Sequence, residues 1–144
     1  MQDRFKYKVY DEDFKKCFDA ILIDQERAVV EWYNENGRKR SAFISEVIVV
    51  QCTGLKDKNG KLIFEGDIVK VTASRDTSGY GEVVYHQAGC TYVICGFKEN
   101  PCVLYPRRKG EFFLHLEQWL CTEIIGNIYE NPELLEVKNV NIQP

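Results

Sequence analysis

Turn signals recur so closely along this chain that little room is left for helix. Asn36-Gly37, Asn59-Gly60 and Glu65-Gly66-Asp67 each place residues tolerant of positive φ between short apolar runs. Between the turns the pattern is that of strands. Phe5, Tyr7 and Val9 alternate with Arg4, Lys6 and Lys8, which predicts a half-buried strand over Arg4 to Tyr10. Cys17 to Ile23 and Ala28 to Tyr33 read as a hairpin, and Val47-Ile48-Val49-Val50 as a further strand ending at Cys52. Ile68 to Thr72 and Glu82 to His86 are expected as strands joined by a polar loop from Ser74 to Tyr80. Cys90 to Phe97 and Glu111 to Leu116 follow as strands. Helix is expected only as one turn at Glu117 to Cys121 and as a short segment opened by Asn131-Pro132. No internal repeat is visible. The expected fold is mainly β, a single domain over residues 1–136 followed by a loose tail from Val137 to Pro144.

Length supports one domain, since 144 residues allow a compact chain to bury roughly 68% of the surface that it exposes unfolded. The six cysteines contain no CxxC pair, so reduced thiols are expected. The N-terminal residues lack the apolar core of a signal peptide, and no apolar run is long enough to span a membrane, so the chain reads as cytoplasmic with no membrane partner. His86, Cys90, Cys95, Cys102 and His115 include enough soft ligands for zinc. Their spacing matches no zinc motif, and most of these cysteines fall in strand-like patterns where a small buried hydrophobe suffices. No metal and no cofactor are expected.

Catalytic patterns are weak. Gly54 to Lys61 superficially resembles a phosphate loop, but five residues separate the glycines and Leu62 stands where a hydroxyl should hold magnesium. Asp57-Lys58-Asn59-Gly60 lacks the third ligand and the distal glutamate of a calcium loop. No serine sits in a nucleophile elbow, and the two histidines limit any nucleophile–base pair. The chain is therefore read as a non-enzyme. Arg38, Lys39 and Arg40 form one basic cluster and Arg107, Arg108 and Lys109 another, and these are the candidate binding residues for phosphates or a partner. A net charge of −3 argues against tight nonspecific binding of nucleic acid. The apolar Val47 to Val50 run could seek cover from a second copy, so a homo-oligomer is also expected.

Three segments together resemble the phage YopX protein family of bacterial phages and prophages. They are Phe5-Lys6-Tyr7-Lys8-Val9-Tyr10-Asp11, the long stretch Gln51-Cys52-Thr53-Gly54-Leu55-Lys56-Asp57-Lys58-Asn59-Gly60-Lys61-Leu62-Ile63-Phe64-Glu65-Gly66-Asp67-Ile68-Val69, and Glu123-Ile124-Ile125-Gly126-Asn127-Ile128-Tyr129-Glu130-Asn131-Pro132-Glu133-Leu134-Leu135. Cys52, Tyr10 and Leu62 depart from the family's usual residues, and residues from Arg75 to Trp119 follow no matching pattern. The resemblance implies a small SH3-like barrel, its core over about residues 60–130, with additional N-terminal strands and minor short helices. It implies no established activity. With the residues' own reading it gives a phage accessory protein that binds a macromolecular partner without catalysis; the alternative is a nucleic-acid-binding module using the two basic clusters.

Overall fold

The turns expected at Asn36-Gly37 and Asn59-Gly60 close hairpins, the one at Glu65-Gly66-Asp67 carries the chain from one sheet to another, and the strands assemble into two antiparallel sheets. The computed structural model describes residues 2–74, 77–87, 90–96, 106–108, 111–112 and 121–136. In the first sheet β1 (Tyr7–Asp11), β2 (Lys16–Asp24), β3 (Val29–Tyr33), β4 (Lys39–Phe43), β5 (Ile48–Lys56) and β6 (Leu62–Phe64) lie in the order β4-β3-β2-β1-β5-β6. In the second, β7 (Asp67–Ser74), β8 (Thr77–His86), β9 (Thr91–Gly96), β10 (Pro106–Arg108), β11 (Glu111–Phe112) and β12 (Thr122–Asn127) lie in the order β10-β11-β9-β8-β7-β12. The four-residue helix α1 (Glu133–Glu136) follows the last strand. The fold is mainly β, as the turn spacing requires.

The two sheets share part of their topology, which the sequence does not advertise. Strands β1 to β4 run as a meander, a 3-10 turn at Ile44–Glu46 follows, and β5 returns to pair with β1. In the second sheet β7, β8, β9 and β11 run in the same way and β12 returns to pair with β7. Among the described residues neither sheet closes into a ring, because β4 does not pair with β6 nor β10 with β12. The segment expected as barrel core, about 60–130, contains the second sheet. The N-terminal strands, expected as additions to it, form a sheet of their own, with as many strands as the second has among the described residues.

Several boundaries differ from the sequence reading. Gln2–Phe5 is a 3-10 turn rather than the start of β1, and Phe5 is 74% exposed instead of sharing Val9's buried face. The polar stretch from Ser74 to Tyr80 belongs largely to the β7–β8 hairpin, because regular pairing continues through Thr72↔Ser78 and Val71↔Gly79 despite the polar side chains. Cys90 lies exposed in a turn with φ +48° rather than in the core, whereas Cys52 is buried. Cys102, His115, Lys109, all but the last residue of the helical turn expected at Glu117 to Cys121, and the tail 137–144 lie outside the described residues.

Packing follows the period-two alternation of the strands. Val9, Val30 and Trp32 are buried on one face of the first sheet under Phe18, Ala20, Ile23, Ala42, Ile44 and Val49. The indole Nε1 of Trp32 donates to the buried Asp11 carboxylate at 3.0 Å, which satisfies both groups. A second cluster joins Ile63, Val69, Val71, Val83 and Ile94, and a third joins Val50, Cys52 and Phe64 with Leu62 and Tyr129. Strand β6 serves both of these, since Ile63 points into the second sheet's core while Leu62 and Phe64 point to the other side. Full burial of such a side chain contributes roughly 1.5–3 kcal/mol, so β6 fastens the two sheets together. Asp57 adds polar links: its Oδ2 accepts from Ile124 N at 3.1 Å, and beside it Lys58 N donates to Thr122 O at 2.9 Å.

Candidate functional site

Where the sheets meet, the chain forms a cleft of about 690 Å³. Its first wall is β1 and the turn before it, which supply Phe5, Lys6, Tyr7 and Lys8; the second is β6 and the start of β7, with Lys61, Leu62, Phe64 and Asp67. The third is β12 and the turn after it, with Ile124, Gly126, Asn127 and Glu130. All of these fall within the three segments quoted above; among the described residues only Asp19 and Ala20 of β2 line the cleft from outside them. Three stretches far apart in the chain thus build one concavity.

Local chemistry explains why each wall stands where it does. Alternation in β1 sends Val9 into the core and Lys8 to the opposite face, where it lies across from Asp19 and its Nζ sits 4.4 Å from the centre of the Phe64 ring. Gly66, at φ +83°, turns β6 into β7, and Asp67 closes that turn by accepting Phe64 N on Oδ2 at 2.8 Å. Gly126 gives the chain a place to fold back: a Cβ there would lie 2.6 Å from Asn131 Oδ1 and 2.8 Å from Leu134 Cδ1. In the turn that follows, Glu130 accepts Asn127 Nδ2 on Oε2 at 3.1 Å and Cys17 N on Oε1.

Electrostatics single out Asp67. It is 8% exposed, and burial pushes its carboxyl up to about 6, with the Glu130 and Asp57 charges adding to the shift and the Phe64 N–H and Lys8 opposing it. A strongly shifted acid lining a cleft is a reasoned mark of a functional site. Cys17, close by, is pushed up to about 12 by burial and then by the Glu130 charge, which keeps it a thiol and a poor nucleophile near neutrality. Among the described residues no three His, Cys, Asp or Glu side chains gather as metal ligands.

The raised Asp67 pKa makes stability depend on pH. The folded protein favours the neutral acid, so this contribution is fully present below the ordinary value of 3.8 and is lost as pH rises through about 6. The half-buried Glu82, also raised by burial and by Glu65, acts in the same direction. Asp67→Asn keeps an acceptor for Phe64 N and removes the charge. Urea unfolding from pH 4 to 7 is expected to show wild-type stability falling by about 2–3 kcal/mol more than that of Asp67→Asn over this range. Parallel profiles would refute the assignment.

Of the sequence-predicted basic residues, Arg38, Lys39 and Arg40 lie outside the cleft, and Lys39 and Arg40 are paired within the fold. In β4, Lys39 Nζ pairs with Glu31 Oε2 at 2.5 Å, and Arg40 pairs with Asp13 Oδ2 at 2.6 Å and approaches Asp11 Oδ2 at 3.9 Å. Arg38 is exposed beside the Gly37 turn, its backbone N–H donating to Asn34 Oδ1. Arg107 and Arg108 belong to β10 at the edge of the second sheet, whereas β4 is an edge of the first. Sequence reasoning missed Lys8, Asp67 and Glu130 as site residues. The available signal was that they sit in the three quoted segments, which it read as turn and strand determinants alone.

No curated protein matches this chain. Two crystal structures share its fold. Protein EF1440 from Enterococcus faecalis is 24% identical with a TM-score of 0.53, the match covering 90% of this chain and 96% of that one. Protein yopX from Bacillus subtilis is 17% identical with a TM-score of 0.58, the match covering 92% and 98%. The family model described as YopX protein matches residues 3–136, a span that includes every residue lining the cleft, and this chain belongs to the YopX protein family.

Proposed function

We propose that this protein is a non-catalytic binding module of a phage or prophage, working in the bacterial cytoplasm through the cleft between two small, partly open β-barrels of SH3-like kind. The observation that carries the reading is the convergence of three distant chain segments on one concave, charged and aromatic-lined surface. The barrel assignment is supported by the strand order, in which a run of four antiparallel strands (β1 to β4; β7, β8, β9 and β11) is followed by a later strand, β5 or β12, that returns to pair with the first of the run. The Cys17 thiol, held protonated near the cleft, favours recognition over thiol chemistry there. Self-association belongs to the same proposal, through the apolar opening where Phe5, Ile21 and Leu22 stand exposed. A monomer by light scattering at micromolar concentration would remove it.

The test uses tagged protein expressed in cells with an induced prophage. Wild type is expected to retain a partner that the double variant Lys8→Glu, Lys61→Glu loses and Arg38→Glu keeps; equal retention by all three would refute the cleft as the binding surface. The same proteins are titrated with single- and double-stranded oligonucleotides. Because Lys39 and Arg40 are neutralised within the fold, binding is expected to be weak at physiological salt. Submicromolar affinity that survives moderate salt and vanishes in Arg107→Glu, Arg108→Glu would replace this reading with nucleic-acid recognition.

A further inference from the structure

The cleft holds two charged groups that the fold leaves without full partners. Asp67 is more than nine-tenths buried, yet only its Oδ2 receives a hydrogen bond, from Phe64 N, and Oδ1 has no donor among the described residues. Buried carboxylate oxygens are ordinarily satisfied, because leaving one bare forfeits its hydration without replacement. Lys8 rests its ammonium on the Phe64 ring and forms no ion pair among the described residues. The other charges nearby are either engaged or at the rim. Lys6 pairs with Asp3 at 2.8 Å, Glu130 has both oxygens occupied, and Asp19 and Lys61 are exposed and opposite in sign.

This balance restricts the ligand. A simple cation would meet Asp67 but be opposed by Lys8, and a simple anion would meet Lys8 but be opposed by Asp67. A molecule carrying both charges satisfies each and repels neither. Phe5, Tyr7, Leu62 and Ile124 offer an apolar wall for its body. We propose that the cleft binds a zwitterion of the amino-acid class, as the free amino acid or as a short peptide with free ends, its ammonium on Asp67 and its carboxylate on Lys8. The volume of about 690 Å³ admits either source. The inference rests on the cleft being the binding site.

The experiment follows backbone amide shifts by NMR in the full chain while L-leucine, L-phenylalanine or the dipeptide Leu-Leu is added. Isoamylamine and 4-methylpentanoate, each lacking one charged end of leucine, serve as controls. Saturable shifts at Lys8, Phe64, Asp67 and Asn127 are expected with a zwitterion, at least tenfold weaker with either control. Asp67→Asn and Lys8→Met should each weaken binding tenfold or more while Arg38→Glu changes nothing. Tighter binding by leucine identifies the free amino acid as the source, and tighter binding by Leu-Leu the peptide. Lys8→Met leaves the Phe64–Asp67 turn untouched, so it decides the matter even if Asp67→Asn folds poorly. No saturable shift from any zwitterion, or equal binding of the single-charge controls, overturns the inference. If that occurs while the Lys8→Glu, Lys61→Glu variant still loses its cellular partner, the cleft reading stands without it; if partner retention is also unchanged, both fall.

Discussion

Gly66→Ala is expected to lower unfolding stability by about 3 kcal/mol and the melting temperature by roughly 10 °C. Two costs add at this position. The backbone is at φ +83°, where a Cβ costs about 1–2 kcal/mol. The added carbon would also lie 2.8 Å from Tyr129 Cε2 and 3.4 Å from Ile128 Cγ1, so the half-buried Tyr129 ring would have to shift. Gly66 N donates to Val83 O at 2.7 Å and its carbonyl accepts Ile128 N at 2.9 Å, so a shift that relieves the clash strains bonds on both sides. Gly37→Ala is the control, since Gly37 has φ +69° but nothing within 4 Å of the added carbon, and it should cost only about 1 kcal/mol. Equal losses for the two variants in denaturant titrations would show that the Tyr129 contact contributes nothing.

Asp57→Ala should cost a similar amount, about 3–4 kcal/mol, through a different mechanism. The Asp57 carboxylate accepts three backbone N–H groups: Asn59 and Lys61 at 2.9 Å each on Oδ1, and Ile124 at 3.1 Å on Oδ2. Burial pushes its pKa up, but these donors and Lys61 outweigh it and hold the carboxyl below its ordinary range. Its stabilisation is therefore present above the unfolded value of 3.8 and lost as pH falls through the depressed folded value. The first two bonds shape the β5–β6 turn, whereas the third ties that turn to the second sheet. Truncation should accordingly speed amide hydrogen exchange at Ile124 and along β12 more than in β3 and β4, which do not touch Asp57. Uniform acceleration would mean that Asp57 acts only through global stability. Asp57→Asn, which keeps one acceptor oxygen, should fall between the two.

Both positions show how differently the parts of this protein could be read. Asn59-Gly60 and Gly66-Asp67 were legible as turns from residue type alone, because positive φ and Asx hydrogen bonding are local properties. The β2–β3 hairpin was legible from two apolar segments around a polar break, and the short helix after Pro132 from proline at its first turn, signals that are likewise local. The polar Ser74 to Tyr80 stretch was misread because strand pairing there is decided by the partner strand, not by hydrophobicity. The basic residues drew attention as clusters, yet the positions of Glu31 and Asp13, which neutralise Lys39 and Arg40, depend on strand register and on the fold.

The amino-acid sequence by itself determined the mainly β class, the places where the chain reverses and the faces of the regular strands, since these depend on φ preferences and a two-residue period within a few neighbours. Only the tertiary structure decided that the strands divide into two sheets, that Gly66 must clear Tyr129, and that Lys8, Asp67 and Glu130 share a cleft. Those facts join residues about 60 to 120 positions apart. Such pairings are set by which apolar faces bury together and which charges are left between them, a balance summed over the whole chain and written in no single segment of it.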